Sequence, residues 1–250
     1  MIEISHLTKQ FGTFKAVDDC TWTAPDGAIT GFIGPNGAGK TTHMKIITGV
    51  LRPTCGTVKV NGFDIEKEPL QAKKQFGFVS DSPDHFLRLK GVEYLNFMAD
   101  LYDMPVQGRA DFISDYANRF GIADALNSKI LSYSHGMRQK IMVMGALIHQ
   151  PDIWILDEPL LGLDPQSAYE LKKMMREHAD AGHTVLFSTH VLEVAEKLCD
   201  QVTVIRRGAI RFSGTMEQLR SGFEPGAGLE EIFLRLTGEE QQSARPAAKE

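Results

Sequence analysis

The sequence holds only three cysteines, Cys20, Cys55 and Cys199, in 250 residues. An odd number without paired ligand spacing argues against a disulfide scaffold or a zinc ribbon, and free thiols suit a reducing compartment. No apolar run approaches the roughly 18–20 residues of a membrane span. Runs such as Ile153–Leu156 have the length of a buried strand instead. The opening MIEISHLTKQF lacks a basic stretch followed by an apolar one, so no secretory signal is expected. A basic excess is missing too: 27 Lys and Arg stand against 32 Asp and Glu, a net charge of -5. That balance argues against binding by phosphate neutralisation along nucleic acid. There is no internal repeat. What remains is ordinary globular composition, 42% apolar and 24% charged. The length suits one large domain or two small ones with a core of their own.

The pattern predicts strands at Ile2–Ile4 and Phe14–Trp22, a turn at Pro25-Asp26-Gly27, and a short apolar strand at Ala28–Ile33. A helix is expected from Lys40 to Gly49, a strand at Thr57–Val60 with a hairpin turn at Asn61-Gly62, and a strand at Phe76–Ser80. Helical periodicity then dominates, over Glu93–Leu101, Gly108–Phe120 and Ser134–Ile148. This reads as a helical subdomain, residues 83–140, inserted between strands. Strands resume at Ile153–Leu156, Thr184–Ser188, Val202–Ile205 and Ala209–Phe212, with helices at Gln166–Ala179 and Val191–Leu198. Alternating strands and helices argue an α/β fold with a helix-covered parallel sheet. Residues 1–82 and 141–237 form its core, and the polar stretch 238–250 is expected to be a disordered tail.

Gly34-Pro35-Asn36-Gly37-Ala38-Gly39-Lys40-Thr41 fits G-x-x-x-x-G-K-[ST] in full, between a predicted strand and a predicted helix. Glycines let successive N–H groups turn inward as an anion nest, and the helix N-terminus adds partial positive charge. Lys40 reaches β- and γ-phosphates, the Thr41 hydroxyl suits Mg²⁺, and Thr42 suits an α-phosphate. The loop implies a nucleoside triphosphate without saying which. Ile153–Leu156 ends in Asp157-Glu158. In a phosphate-loop fold this strand is expected beside the one carrying the loop. Asp157 then holds Mg²⁺ through water, and Glu158 is a candidate general base. His190, at the end of another apolar strand, is a candidate γ-phosphate contact.

Ser134, in Leu131-Ser132-Tyr133-Ser134-His135-Gly136-Met137-Arg138-Gln139, is a good helix N-cap. The helix start it caps offers either a plain capped end or a second phosphate contact. One chain does not readily place both this helix and the phosphate loop on one nucleotide, whereas two chains facing head to tail do.

Taken together and in order, these motifs resemble an ATP-binding cassette (ABC) ATPase over residues 2–236, nearly the whole chain. The resemblance implies a P-loop fold of the ABC type, a mixed sheet core with the inserted helical subdomain. Gly34–Thr42 looks like the Walker A loop, and Ile153–Glu158 like Walker B with its catalytic glutamate. Tyr133–Met137 looks like a variant signature motif, in which Ser134, His135, Gly136 and Met137 face the ATP of the opposite chain. Leu163-Asp164 looks like the D-loop, and His190 like the switch histidine. Phe11 stands where the family stacks an aromatic on adenine, and Val17 is grouped with it among the nucleotide-binding residues.

Tyr-Ser-x-Gly-Met-Arg-Gln, the run Gly91–Leu101 and the ending Leu229–Gly238 are similar to cassettes that serve the ABC-2 class of exporters. The resemblance implies ATP and Mg²⁺ as cofactors and a pairing with itself or a sister cassette. It also implies a separate multi-span permease and a place on the cytoplasmic face of the cell membrane. Two departures stand out. Asp81 replaces the usual Gln or Glu after the Phe76–Val79 strand and is expected to reach Mg²⁺ through a water. Leu160 and Leu161 replace a Thr and a small or polar residue. Two other readings stay open within the family: a soluble cassette acting on ribosomes or DNA, and a subunit that binds ATP without hydrolysing it. The first usually brings a second cassette and a charged linker, or a long coiled coil, and neither is present.

Overall fold

A computed structural model of the chain describes residues 1–223 and 228–238. Strands β1 (Ile2–Phe11) and β2 (Phe14–Ala24) form an antiparallel hairpin. Strand β3 (Ala28–Ile33) enters the glycine-rich loop and helix α1 (Lys40–Ile47) leaves it. Strands β4 (Cys55–Val60) and β5 (Phe63–Asp64) turn at Asn61 and Gly62, whose φ angles of 48° and 82° suit the expected tight hairpin. Helix α2 (Pro69–Lys74) and strand β6 (Phe76–Val79) follow. Three helices, α3 (Gly91–Leu101), α4 (Arg109–Arg119) and α5 (His135–Leu147), then lead to β7 (Ile153–Asp157). The chain continues through α6 (Pro165–Asp180), β8 (Thr184–Thr189), α7 (Leu192–Leu198), β9 (Gln201–Arg206) and β10 (Ala209–Thr215). Helices α8 (Met216–Ser221) and α9 (Leu229–Thr237) close it.

The strands make two sheets. One is antiparallel with order β2-β1-β4-β5; the other has order β10-β9-β3-β8-β7-β6 and is parallel except for β9 against β10. Every residue of β3, β7 and β8 is buried, as near-continuous apolar strands covered on both faces should be. Their side chains alternate between two cores. Ile153, Ile155 and Leu186 join Trp22, Phe32 and Met44 between the sheets. Trp154, Leu156, Val185 and Phe187 join Leu95, Ile141 and Met175 on the helical side.

Two sequence expectations need correction. Strand β7 does not lie beside β3: β8 stands between them, paired in parallel with both. The sequence spacing hides this, because β8 comes later in the chain and enters the gap by a crossover. The expected domain boundary at 140/141 falls inside α5, an unbroken helix buried from Gln139 to Leu147. Of the expected tail, Gly238 caps α9 with a left-handed φ of 64°, and residues 239–250 lie outside the described residues. Among the described residues, no helix is long and apolar enough to cross a membrane.

Candidate nucleotide site

The register aligns Ile33 with Thr189 and Asp157 with Ser188. The phosphate loop, the acid pair and His190 therefore emerge together at the carboxyl edge of the parallel sheet, where ligands of such sheets bind. Two loop positions demand glycine. A side chain at Gly39, which has a φ of 109°, would drive into the Ala16 carbonyl, and one at Gly34 would meet the Ile205 carbonyl. The loop is thus pressed against β2 and β9. Pro35, Asn36 and Gly37 form its outer rim, and Ala38 is buried beneath. No side chain caps α1, so its first-turn N–H groups, with Thr41 and Thr42, open toward an anion.

Lys40 is buried, and its Nζ donates to the Gly34 carbonyl at 2.8 Å. The same Nζ lies 3.5 Å from Glu158 Oε1. The Glu158 carboxylate also meets His190 Nδ1, at 3.0 Å and 3.1 Å to its two oxygens. Beneath them Asp157 accepts a hydrogen bond from the Ser188 hydroxyl, and the Thr41 hydroxyl lies close enough to act on the same carboxyl. Burial pushes the Asp157 carboxyl above its ordinary range; the two hydroxyls oppose that shift, and the charges of Asp81 and Glu158 add to it. Asp81, though exposed, is therefore close enough for its charge to be felt at Asp157.

Phe11 sits half-exposed at the end of β1, with Lys9 Nζ 5.1 Å over its ring. Val17 is buried in the core between the sheets. Its neighbour Ala16 is the residue whose carbonyl touches the loop at Gly39.

A second cluster gathers at the start of α5. Ser134 caps the helix, accepting from the Met137 N–H at 3.2 Å. Ser134 and His135 are exposed, and Gly136 and Met137 are partly so. Gly136 packs so closely on the Gly162 carbonyl that a Cβ would reach 2.8 Å, and the His135 ring lies against Gly162 as well. Asp164 caps α6 through Ser167 and pairs with Lys140 at 2.9 Å. The structure thus unites Lys40, Thr41, Asp157, Glu158 and His190 in one constellation. The residues Ser134–Met137 form another with the 160–164 loop. Sequence reasoning missed Ala16, Ser188 and Lys140. A serine ending an apolar strand is the one signal that could have exposed Ser188.

The family model described as "ABC transporter" matches residues 17–161. Among curated proteins, the ABC transporter ATP-binding protein NatA of Bacillus subtilis (strain 168) is 34% identical over 239 residues, covering 94% of this chain and 97% of that protein. The chain belongs to the ABC transporter family. It is an ATP-binding subunit of that family and an ATPase. The daunorubicin/doxorubicin resistance ATP-binding protein DrrA of Streptomyces peucetius is similar at 33% identity over 248 residues, covering 99% of this chain and 73% of that protein. A solved structure described as "Structure of ATP binding subunit of ABC transporter" superposes with a TM-score of 0.90 at 31% identity, covering 95% of this chain and 99% of that one.

Proposed function

We propose that this ABC cassette drives a separate multi-span permease of the ABC-2 exporter class, working from the cytoplasmic face of the membrane as a pair of cassettes. The observation that carries the catalytic part is the Glu158 carboxylate, held between His190 Nδ1 and Lys40 Nζ at the mouth of the phosphate loop. In this reading Lys40 and the loop N–H groups bind the β- and γ-phosphates, Thr42 the α-phosphate, and Phe11 stacks on adenine. Glu158 orients the attacking water and takes its proton, while His190 steadies the γ-phosphate. Ser134, with His135, Gly136 and Met137, supplies a helix N-terminus to the ATP of the opposite cassette, and Asp164 links the two sites. ATP then bridges the pair, and its hydrolysis releases them.

The residues present fit Mg²⁺. The Thr41 hydroxyl and the Asp157 carboxyl stand together, and Asp81 and Glu158 add negative charge at the same place. Among the described residues no group of three or more His, Cys, Asp or Glu is arranged as an all-protein metal cage. Mg²⁺ at nucleotide sites keeps several waters and is held by one or two protein oxygens plus phosphates. Thr41 and Asp157 would hold it, with Asp81 acting through a water, and it would neutralise charge developing on the transferred phosphoryl.

The similarity to the daunorubicin/doxorubicin resistance protein DrrA supports the export class. Helices α3–α5 carry motion to the permease, with Phe86 and Phe97 exposed beside the loop after β6 as the docking surface. The test is a membrane pull-down with Glu158→Gln in ATP. Recovery of a polytopic permease is expected; recovery of ribosomes or DNA-bound machinery instead would overturn the transport reading.

A further inference from the structure

Strand β8 is apolar through Val185, Leu186 and Phe187, and then places a serine in the same buried layer. Ser188 is 0% exposed. A hydroxyl in such a place is costly unless its hydrogen-bonding capacity is used. Both bonds it makes go to the acid pair: Oγ donates to Asp157 Oδ1 and accepts from the Glu158 backbone N–H at 3.0 Å. The register explains how one atom reaches both, since Asp157 and Ser188 face each other across the β7/β8 ladder.

One residue further on, β7 stops. The Glu158 N–H is taken by the Ser188 hydroxyl, and Glu158 turns off the strand with a φ of 49°. A residue with a side chain adopts that region rarely, and something must hold it there. The turn is what brings the Glu158 carboxylate to His190 and Lys40 rather than onward along the strand line. A hydroxyl gives one proton and accepts at its lone pairs, so it can serve the carboxylate and the amide at once.

We propose that Ser188 is a positioning residue for ATP hydrolysis: its buried hydroxyl ties the Asp157 side chain to the Glu158 backbone and so sets where the Glu158 carboxylate stands. The inference rests on the reading of Glu158 as the base. Ser188 itself touches no reacting atom.

The experiment uses the full chain and four variants, Ser188→Ala, Ser188→Val, Ser188→Thr and Glu158→Gln. Valine and threonine have nearly the same shape, and only threonine keeps a hydroxyl. Steady-state hydrolysis of Mg-ATP gives kcat and KM, a fluorescent ATP analogue gives affinity, and thermal melting shows that each variant is folded. The Ala and Val variants should lose about 10–100-fold in kcat, the range seen when a supporting hydrogen bond is removed. Their KM and analogue affinity should stay within a few-fold of the parent, and the Thr variant should keep most of its kcat. A Val variant that matches Thr in kcat would overturn the proposal. So would a loss of kcat matched by an equal loss of nucleotide affinity, because that is the mark of a packing role. The Glu158→Gln control separates the two readings: normal turnover there removes the base assignment, whereas an inactive Glu158→Gln beside a fully active Ser188→Val removes only the role of Ser188.

Discussion

Lys140, on α5, places its Nζ 2.9 Å from a carboxylate oxygen of Asp164, the residue that caps α6. The pair ties the helix that opens with Ser134 to the loop that follows the acid pair. Close packing of Gly136 on Gly162 does the same a turn earlier. Hydrogen bonds from Ser167 and Lys140 hold the Asp164 carboxyl well below the usual carboxylate range. Its contribution to stability is therefore present above the ordinary Asp pKa and is lost only as pH falls through the lower folded value. Asp164→Ala removes the cap and should cost about 1 kcal/mol. For a domain of this size that corresponds to a fall in Tm of roughly 2–4 °C, read by thermal melting at pH 7.

Glu158→Gln keeps the size of the side chain and removes its basicity. Phosphate release should fall by about 10²–10⁴-fold, the usual contribution of a general base. ATP binding should persist, and a larger species should accumulate in ATP on size-exclusion chromatography. Turnover near the parent rate would remove Glu158 from its assigned role.

Phe11 is half-exposed at the end of β1, with Lys9 over its ring. Phe11→Ala should weaken ATP binding by about 1–3 kcal/mol, the worth of one base–aromatic stack. Phe11→Tyr keeps the face and should bind ATP as the parent does. Equilibrium titration with a fluorescent ATP analogue checks both. An Ala variant with unchanged affinity would place adenine elsewhere.

His43 follows the phosphate loop on α1, with its ring against Phe32 at 4.9 Å and its Nδ1 3.1 Å from the Gly39 carbonyl. Its Nε2 has no partner among the described residues. Burial lowers its pKa to about 4 from the ordinary 6.5. Because the folded pKa is depressed, the unfolded chain binds the extra proton first as pH drops. Stability is thus full above pH 6.5 and declines toward pH 4, at up to about 1.4 kcal/mol per pH unit for this one group. Urea midpoints measured at pH 7 and pH 5 should show the decline. His43→Gln, which keeps a donor for Gly39, should flatten it by one proton's share. An equally steep decline in that variant would assign the acid sensitivity to other groups.

Much of this molecule is legible in its sequence, for identifiable reasons. Strands β3, β7 and β8 are apolar runs of strand length, and the glycine loop and the caps Ser134 and Asp164 use short-range chemistry. Such signals survive without knowledge of the fold. Strand β1 is harder. It runs from Ile2 to Phe11 rather than to Ile4, because register shifts after Ile4 and a positive φ at His6 break the alternation that marks a strand. The short helix α2 leaves little signal, as it spans only six residues with little periodicity to read. The contact of the Ala16 carbonyl with the loop at Gly39 is made by backbone, which no side-chain pattern announces. The place of β8 between the two functional strands depends on a crossover and leaves no local trace.

That inserted strand acts as a gauge block. Neighbouring strands lie about 4.8 Å apart, so β3 and β7 are separated by roughly twice that. The backbone of the acid pair is thereby kept one strand's width further from the phosphate loop than adjacency would allow, and side chains reach across the gap, Lys40 to Glu158 and the Thr41 hydroxyl toward Asp157. The clearance at the chemical centre is thus dimensioned by hydrogen-bonded backbone, while its fine adjustment is left to four side chains. Substitutions in the interior of β8 far from any nucleotide should therefore be felt in turnover before they are felt in binding.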